Sequence, residues 1–95
     1  MNYAKTKSEV KSELNRLNEN LRTNLRFLAT NEGRDDIRQE YIESQHRQIR
    51  ENQAKMRVLG WAFFMGEEVE RKISNAFDTF RPLAPSKVFN HIEVR

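Results

Sequence analysis

Glu43-x-x-His46 has the spacing of half a di-iron carboxylate site, in which a glutamate and a histidine one helical turn apart reach the same metal. A second copy of the chain would supply the other half. Such a site also needs an inward-facing glutamate from a partner helix. Glu13 and Glu19 lie off the apolar seam of the preceding segment, and Glu32 lies at its end. Residues 43–53 contain one apolar side chain, Ile49, so His46 reads as a solvated histidine and no metal is expected. Nucleophilic chemistry has no better footing. Ser8, Ser12, Ser44, Ser74 and Ser86 lack a glycine-flanked elbow, and His91 lies in the tail. Gly33, Gly60 and Gly66 are isolated, so no glycine-rich loop cradles a phosphate. The chain has no cysteine, which removes thiol nucleophiles, thiolate metal sites and disulfides. The reading is a protein that is not an enzyme and uses no cofactor.

Basic residues form a more specific pattern. Arg47, Arg50 and Arg57 fall at i, i+3 and i+10, with Trp61 one turn beyond on the same helical face. Arg22 and Arg26 form an i, i+4 pair earlier in the chain, and Lys11 lies on the same segment. Guanidinium groups bind phosphate through paired hydrogen bonds, and an aromatic ring offers a stacking surface for a base. The competing reading is a solvated helix, because these arginines alternate with Glu40, Glu43 and Glu51.

Seventeen Lys and Arg against fourteen Asp and Glu give a net charge of +3, too mixed in sign for general DNA or RNA binding, which ranks last among the readings. The longest apolar run, Val58 to Met65, falls far short of the ~18 residues of a membrane span. Met1 to Lys5 lacks the apolar core of a secretory signal, and a cytoplasmic protein is expected.

Two helices must position these groups. Thr6-Lys7-Ser8-Glu9 is a capping box, in which hydroxyl and carboxylate each satisfy an amide of the helix start. Behind it Val10, Leu14, Leu17, Leu21, Asn24 and Leu28 recur at spacings of 4, 3, 4, 3 and 4, a heptad seam with one polar layer. Leu25 and Phe27 widen the stripe, and Gly33 is the expected C-cap, so the first helix runs from about 7 to 31. Asp35 is the expected cap of the second, and Asp36 suits the positive end of its dipole. From Ile37 to Arg81 there is no proline and no glycine pair. Ile42, Ile49, Met56, Phe63 and Phe77 sit on one heptad position, missing a beat at Glu70, with Leu59, Ile73 and Phe80 on the companion position. Gln45 and Asn52 occupy that companion position earlier, as further polar layers. The spacing predicts one long helix over about 36–81, bent if anywhere at Gly60 or Gly66. Pro82 and Pro85 end it, leaving a tail, 82–95, with Val88, Phe89, Ile92 and Val94 either folded back as an arm or loose.

The expected fold is therefore all-α: a single domain, 1–95, forming an antiparallel helical hairpin with coiled-coil patterning, a shorter first helix, a long second helix and a short tail. Residues 58–65 are apolar nearly all round, and a helix apolar on every side is usually buried on every side. That predicts a homo-oligomer, with Leu59, Trp61, Phe63, Phe64, Met65, Ile73, Phe77 and Phe80 at a self- or partner-interface.

The segment Arg71-Lys72-Ile73-Ser74-Asn75-Ala76-Phe77-Asp78-Thr79-Phe80-Arg81-Pro82 resembles the small phage-encoded helical-hairpin proteins that sequester cyclic oligonucleotide signals of bacterial defence, the anti-CBASS sponges. The likeness extends to size, to the order of a short then a long helix, and to a last helix ending in Ala-Phe, a basic residue and proline. The chain departs from that family in its long first helix. The resemblance implies a non-enzymatic homo-oligomer that binds cyclic di- or trinucleotides between subunits, in the cytoplasm of the host cell. By residue type, Tyr3 with Lys5 or Lys7, Arg22, Arg26 and Trp61 would hold the ligand, beside the Arg47, Arg50 and Arg57 face. The reading from a different class is an inhibitor or interaction module that docks a host or structural protein through the Trp61–Met65 patch.

Overall fold

The computed structural model describes residues 6–31 and 36–83. They form three helices, α1 (Lys7–Asn31), α2 (Gln39–Ala62) and α3 (Gly66–Phe80), followed by a 3-10 turn over Arg81–Leu83. Each helix packs on both of the others. The all-α reading holds, but the two-helix hairpin does not: the predicted second helix is broken, and its last third folds back as α3.

α1 forms as its sequence dictates. The Thr6 amide donates to Glu9 Oε1 at 3.2 Å, and the Glu9 amide donates to Thr6 Oγ1 at 3.1 Å, closing the capping box. Val10, Leu14, Leu17, Leu21, Asn24 and Leu28 are all buried, joined by Leu25. α2 begins later than the predicted cap. Arg38, in an extended conformation, stands at its N-cap without a side-chain bond. Its carbonyl accepts from the Tyr41 and Ile42 amides at 3.0 and 3.3 Å. Gly33 and Asp35, the expected cap residues, lie outside the described residues, as does the tail from 84 onward.

The break is a Schellman turn with an unusual residue in it. The Phe63 amide donates to the Leu59 carbonyl at 3.1 Å, and the Met65 amide reaches back to the Gly60 carbonyl at 2.7 Å, the six-to-one bond of that motif. Phe64 occupies the left-handed position at φ 58°. Glycine is the usual residue there, because a Cβ in the left-handed region costs roughly 1–2 kcal/mol. Neither Gly60 nor Gly66 is the bend. Gly60 instead lies in the last turn of α2, where a Cβ would stand 2.7 Å from Val69 Cγ2. Its missing side chain lets α3 lie close against α2.

Burial explains why the chain folds back. α3 carries Val69, Ile73, Ala76, Phe77 and Phe80 on one face, all buried. A straight helix would leave that face in water, whereas the turn lays it on the seams of α1 and α2. Burying a large apolar side chain is worth ~1.5–3 kcal/mol, so Val69, Ile73, Phe77 and Phe80 together outweigh one strained residue.

Replacing Phe64 by glycine is therefore expected to raise stability by about 0.5–1 kcal/mol, through relief of that left-handed Cβ. Urea unfolding of the Phe64→Gly chain tests this, and a loss of stability would mean that the turn is not held in that conformation.

Candidate functional site

The structure sorts the apolar interface candidates into two groups. Met65, Ile73, Phe77 and Phe80 belong to the core of a single chain, and Leu59 and Phe63 are half-buried against it. Their burial requires no second copy, because α3 supplies the cover that a hairpin lacks. The region is not buried on every side either. Trp61 is 84% exposed, Phe64 98% and Val58 65%, three side chains at i, i+3 and i+6 around the α2–α3 corner. Monomeric proteins seldom leave two adjacent large aromatic rings in water without a use for them.

This corner borders an open depression of about 870 Å³. Trp61, Ala62 and Phe64 come from the end of α2 and the turn, Glu67, Glu68 and Arg71 from the first turns of α3, and Lys7 and Lys11 from the start of α1. α1 and α3 run side by side, which is why residues sixty positions apart share one end of the molecule. Two of the sequence-derived ligand residues, Lys7 and Trp61, meet here. Arg71 and Phe64 complete the wall, and neither stood out as a ligand group in the sequence, because nothing in its local pattern marks the turn that presents them.

Arg57 shares a second open depression, of about 550 Å³, with Trp61, Glu67, Val69 and Glu70. Arg57 makes a two-point ion pair with Glu70 across α2 and α3, Nε to Oε2 at 2.8 Å and Nη2 to Oε1 at 3.0 Å. Arg22 and Arg26 both stack on Phe80, each guanidinium carbon 5.6 Å from the ring centroid, near the far end of α3. Arg47 and Arg50 are exposed higher on α2. Of the predicted Arg47–Arg50–Arg57–Trp61 face, the structure thus brings Arg57 and Trp61 together, with Arg57 paired to Glu70, and leaves Arg47 and Arg50 exposed on α2. Tyr3 and Lys5 lie outside the described residues.

His46 is half-buried rather than solvated, while Glu43 is exposed. Among the described residues no three of His, Cys, Asp and Glu come together as a metal site would require. Among them, too, no helix is long and apolar enough to cross a membrane.

The hydrogen bond from Arg57, assisted by its charge, holds the Glu70 carboxyl below its usual range, against a smaller upward push from burial. A lowered folded-state value means that the pair stabilises the fold above the unfolded pKa of a glutamate and that this contribution fades as pH falls through the folded value. More than half of the Glu70 side chain faces solvent, so screening limits the pair to at most about 1 kcal/mol. Glu70→Gln is expected to cost that small amount at pH 7 and less near pH 3, as read by urea midpoints at the two pH values. An equal cost at both would show that charge plays no part.

Fold and site together define a small three-helix protein with an exposed aromatic corner flanked by cations. Set against protein-family models, curated proteins and solved structures, the chain matches none.

Proposed function

We propose that this chain is a non-enzymatic binding protein whose recognition end is the α2–α3 corner. One observation carries the reading: the exposed rings of Trp61 and Phe64 share an open depression with Lys7, Lys11 and Arg71. Rings for a base and cations for phosphate are the pairing that nucleotides require. The volume falls within the ~300–1,000 Å³ of small-molecule sites. Glu67 and Glu68 line the α3 side, so a phosphate seats toward Lys7 and Lys11 and leaves the rings to a base. The resemblance of residues 71–82 to the anti-CBASS proteins gives the sharpest form, a counter-defence sponge for cyclic di- or trinucleotides in the host cytoplasm. The mechanism is stoichiometric: binding lowers the free signal and no bond is broken. Assembly into a homo-oligomer, part of that same reading, multiplies the sites.

Native mass spectrometry with and without a cyclic-oligonucleotide mixture tests this. Discrete added masses are expected, with Trp61→Ala weakening them roughly 5- to 150-fold, since a base stacked on an aromatic ring contributes ~1–3 kcal/mol. No added mass at low salt would sink the nucleotide reading. The second reading, docking of a host or structural protein, is favoured by the 98% exposure of Phe64 beside Trp61, an apolar corner that a protein face can cover. On that reading Trp61→Asp abolishes capture of the partner and leaves helicity unchanged.

A further inference from the structure

We propose that α3 exchanges between two copies of this chain, through straightening of the α2–α3 turn into one continuous helix.

The turn is short, held by the Met65-to-Gly60 backbone bond, and it keeps Phe64 in the left-handed region at φ 58°. Nothing in residues 61–65 prevents a helix, since the segment Trp-Ala-Phe-Phe-Met contains no proline or glycine. Short hinges under strain favour exchange of the element they carry. Straightening returns Phe64 to ordinary helical angles and takes the Met65 carbonyl away from Gly60, against which the turn holds it. It also bares Val69, Ile73, Ala76, Phe77 and Phe80, and the faces of α1 and α2 they covered.

The cover that fits that stripe contact for contact is the same pair of faces on a second copy. Each α3 then lies on its partner's α1 and α2. The Arg57–Glu70 ion pair, the Lys72–Asn15 bond and the stacking of Arg22 and Arg26 on Phe80 are remade between chains. Such a dimer gains the relief of two hinges. Trp61 and Phe64, three residues apart on one helix face, come to lie where the two hinges pass each other, so the rings that the monomer leaves in water meet a partner. The occupant of the opened chain is therefore another copy of itself, whatever ligand the corner binds.

Two substitutions push the equilibrium in opposite directions. Phe64→Gly supplies the residue a left-handed C-cap prefers and favours the closed turn; two turns count per dimer, so the association constant is expected to fall roughly tenfold or more. Gly60→Ala meets Val69 in both forms, from its own α3 or the partner's, but only in the closed turn does its methyl also crowd the Met65 carbonyl oxygen, 3.3 Å away, so it raises the dimer fraction. Sedimentation equilibrium over a concentration series, after brief warming to release α3, reads both.

Spin labels on Ala54→Cys and Ser74→Cys, both exposed positions, identify the exchange in doubly labelled chain diluted into unlabelled protein. On one straight helix they stand about 30 Å apart at ~1.5 Å per residue. In the closed chain they lie on neighbouring helices with axes ~8–10 Å apart. Dimers with the long intrachain distance, promoted by Gly60→Ala and suppressed by Phe64→Gly, are the expected result. Dimers that keep the short distance, or monomers at every concentration for the unmodified chain and Gly60→Ala alike, overturn the proposal. Should Gly60→Ala fail to fold, the distance in the unmodified chain and the Phe64→Gly shift still decide it.

Discussion

Phe77→Ala is expected to lower the free energy of unfolding by about 3–5 kcal/mol, the cost of removing a phenyl ring from a core that cannot fully close around the space. Phe77 is fully buried and is the largest of the fully buried side chains. It lies on α3, within the cluster formed by the seams of α1 and α2. A three-helix domain of this size buries a modest share of its surface, so its stability belongs at the lower end of the usual ~5–15 kcal/mol. A loss of this size populates unfolded chain at room temperature. Phe64→Ala is the matched control: the same chemical change at a 98% exposed ring should move stability by no more than about 0.5 kcal/mol. Urea unfolding followed by circular dichroism compares them. The contrast separates two architectures, because a monomeric hairpin with a long straight helix would leave Phe77 in water and make its removal as harmless as that of Phe64. Equal midpoints for the two variants would therefore remove α3 from the core.

How far the sequence discloses this structure depends on whether the deciding interactions are local. α1 is legible from end to end, since both its cap and its seam are set by residues three or four apart, and Thr6, Glu9 and the buried positions from Val10 to Leu28 stand where the spacing puts them. The break is not legible in the same way. Phe63, Phe64 and Met65 are ordinary helix residues, and only the tertiary demand to cover α3 sends Phe64 into the left-handed region. One trace survives in the pattern. The heptad position carrying Ile42, Ile49, Met56 and Phe63 lands next on Glu70, and in the structure the buried residue is its neighbour Val69. A missed beat thus marks a change of helix rather than a polar layer in one helix.

The candidate site divides along the same line. Trp61 is recognisable by residue type, but its companions Lys7, Lys11 and Arg71 become neighbours only once α3 lies beside α1. The stacking of Arg22 and Arg26 on Phe80 and the Arg57–Glu70 pair likewise join different helices, at separations that no helical period connects. Helical spacing therefore finds Arg57 beside Trp61, whereas the carboxylate that engages Arg57 comes from the third helix.

The polar layer between α1 and α2 carries the second large expected effect. The Asn24 side-chain amide donates to Gln45 Oε1 and to Gln48 Oε1, both at 2.9 Å. Asn24 and Gln45 are buried, whereas Gln48 is exposed and can turn to water. Asn24→Ala is expected to cost about 1–3 kcal/mol, chiefly because the Gln45 carbonyl is left buried without its donor. Gln45→Leu in the same chain removes that acceptor, so the double variant should recover part of the loss. A double-mutant cycle between the two positions is expected to show a coupling energy of about 0.5–3 kcal/mol, and a value near zero would mean that the amides are solvated and unpaired in solution. The layer also bears on specificity. An unbroken run of leucines along α1 would fit α2 nearly as well after a slip of seven residues, and a buried amide pair penalises every register that parts its members. The double variant should therefore remain helical while its amide hydrogens along α1 exchange faster than its own free energy of unfolding accounts for, because the seam without its polar layer no longer distinguishes one register from the next.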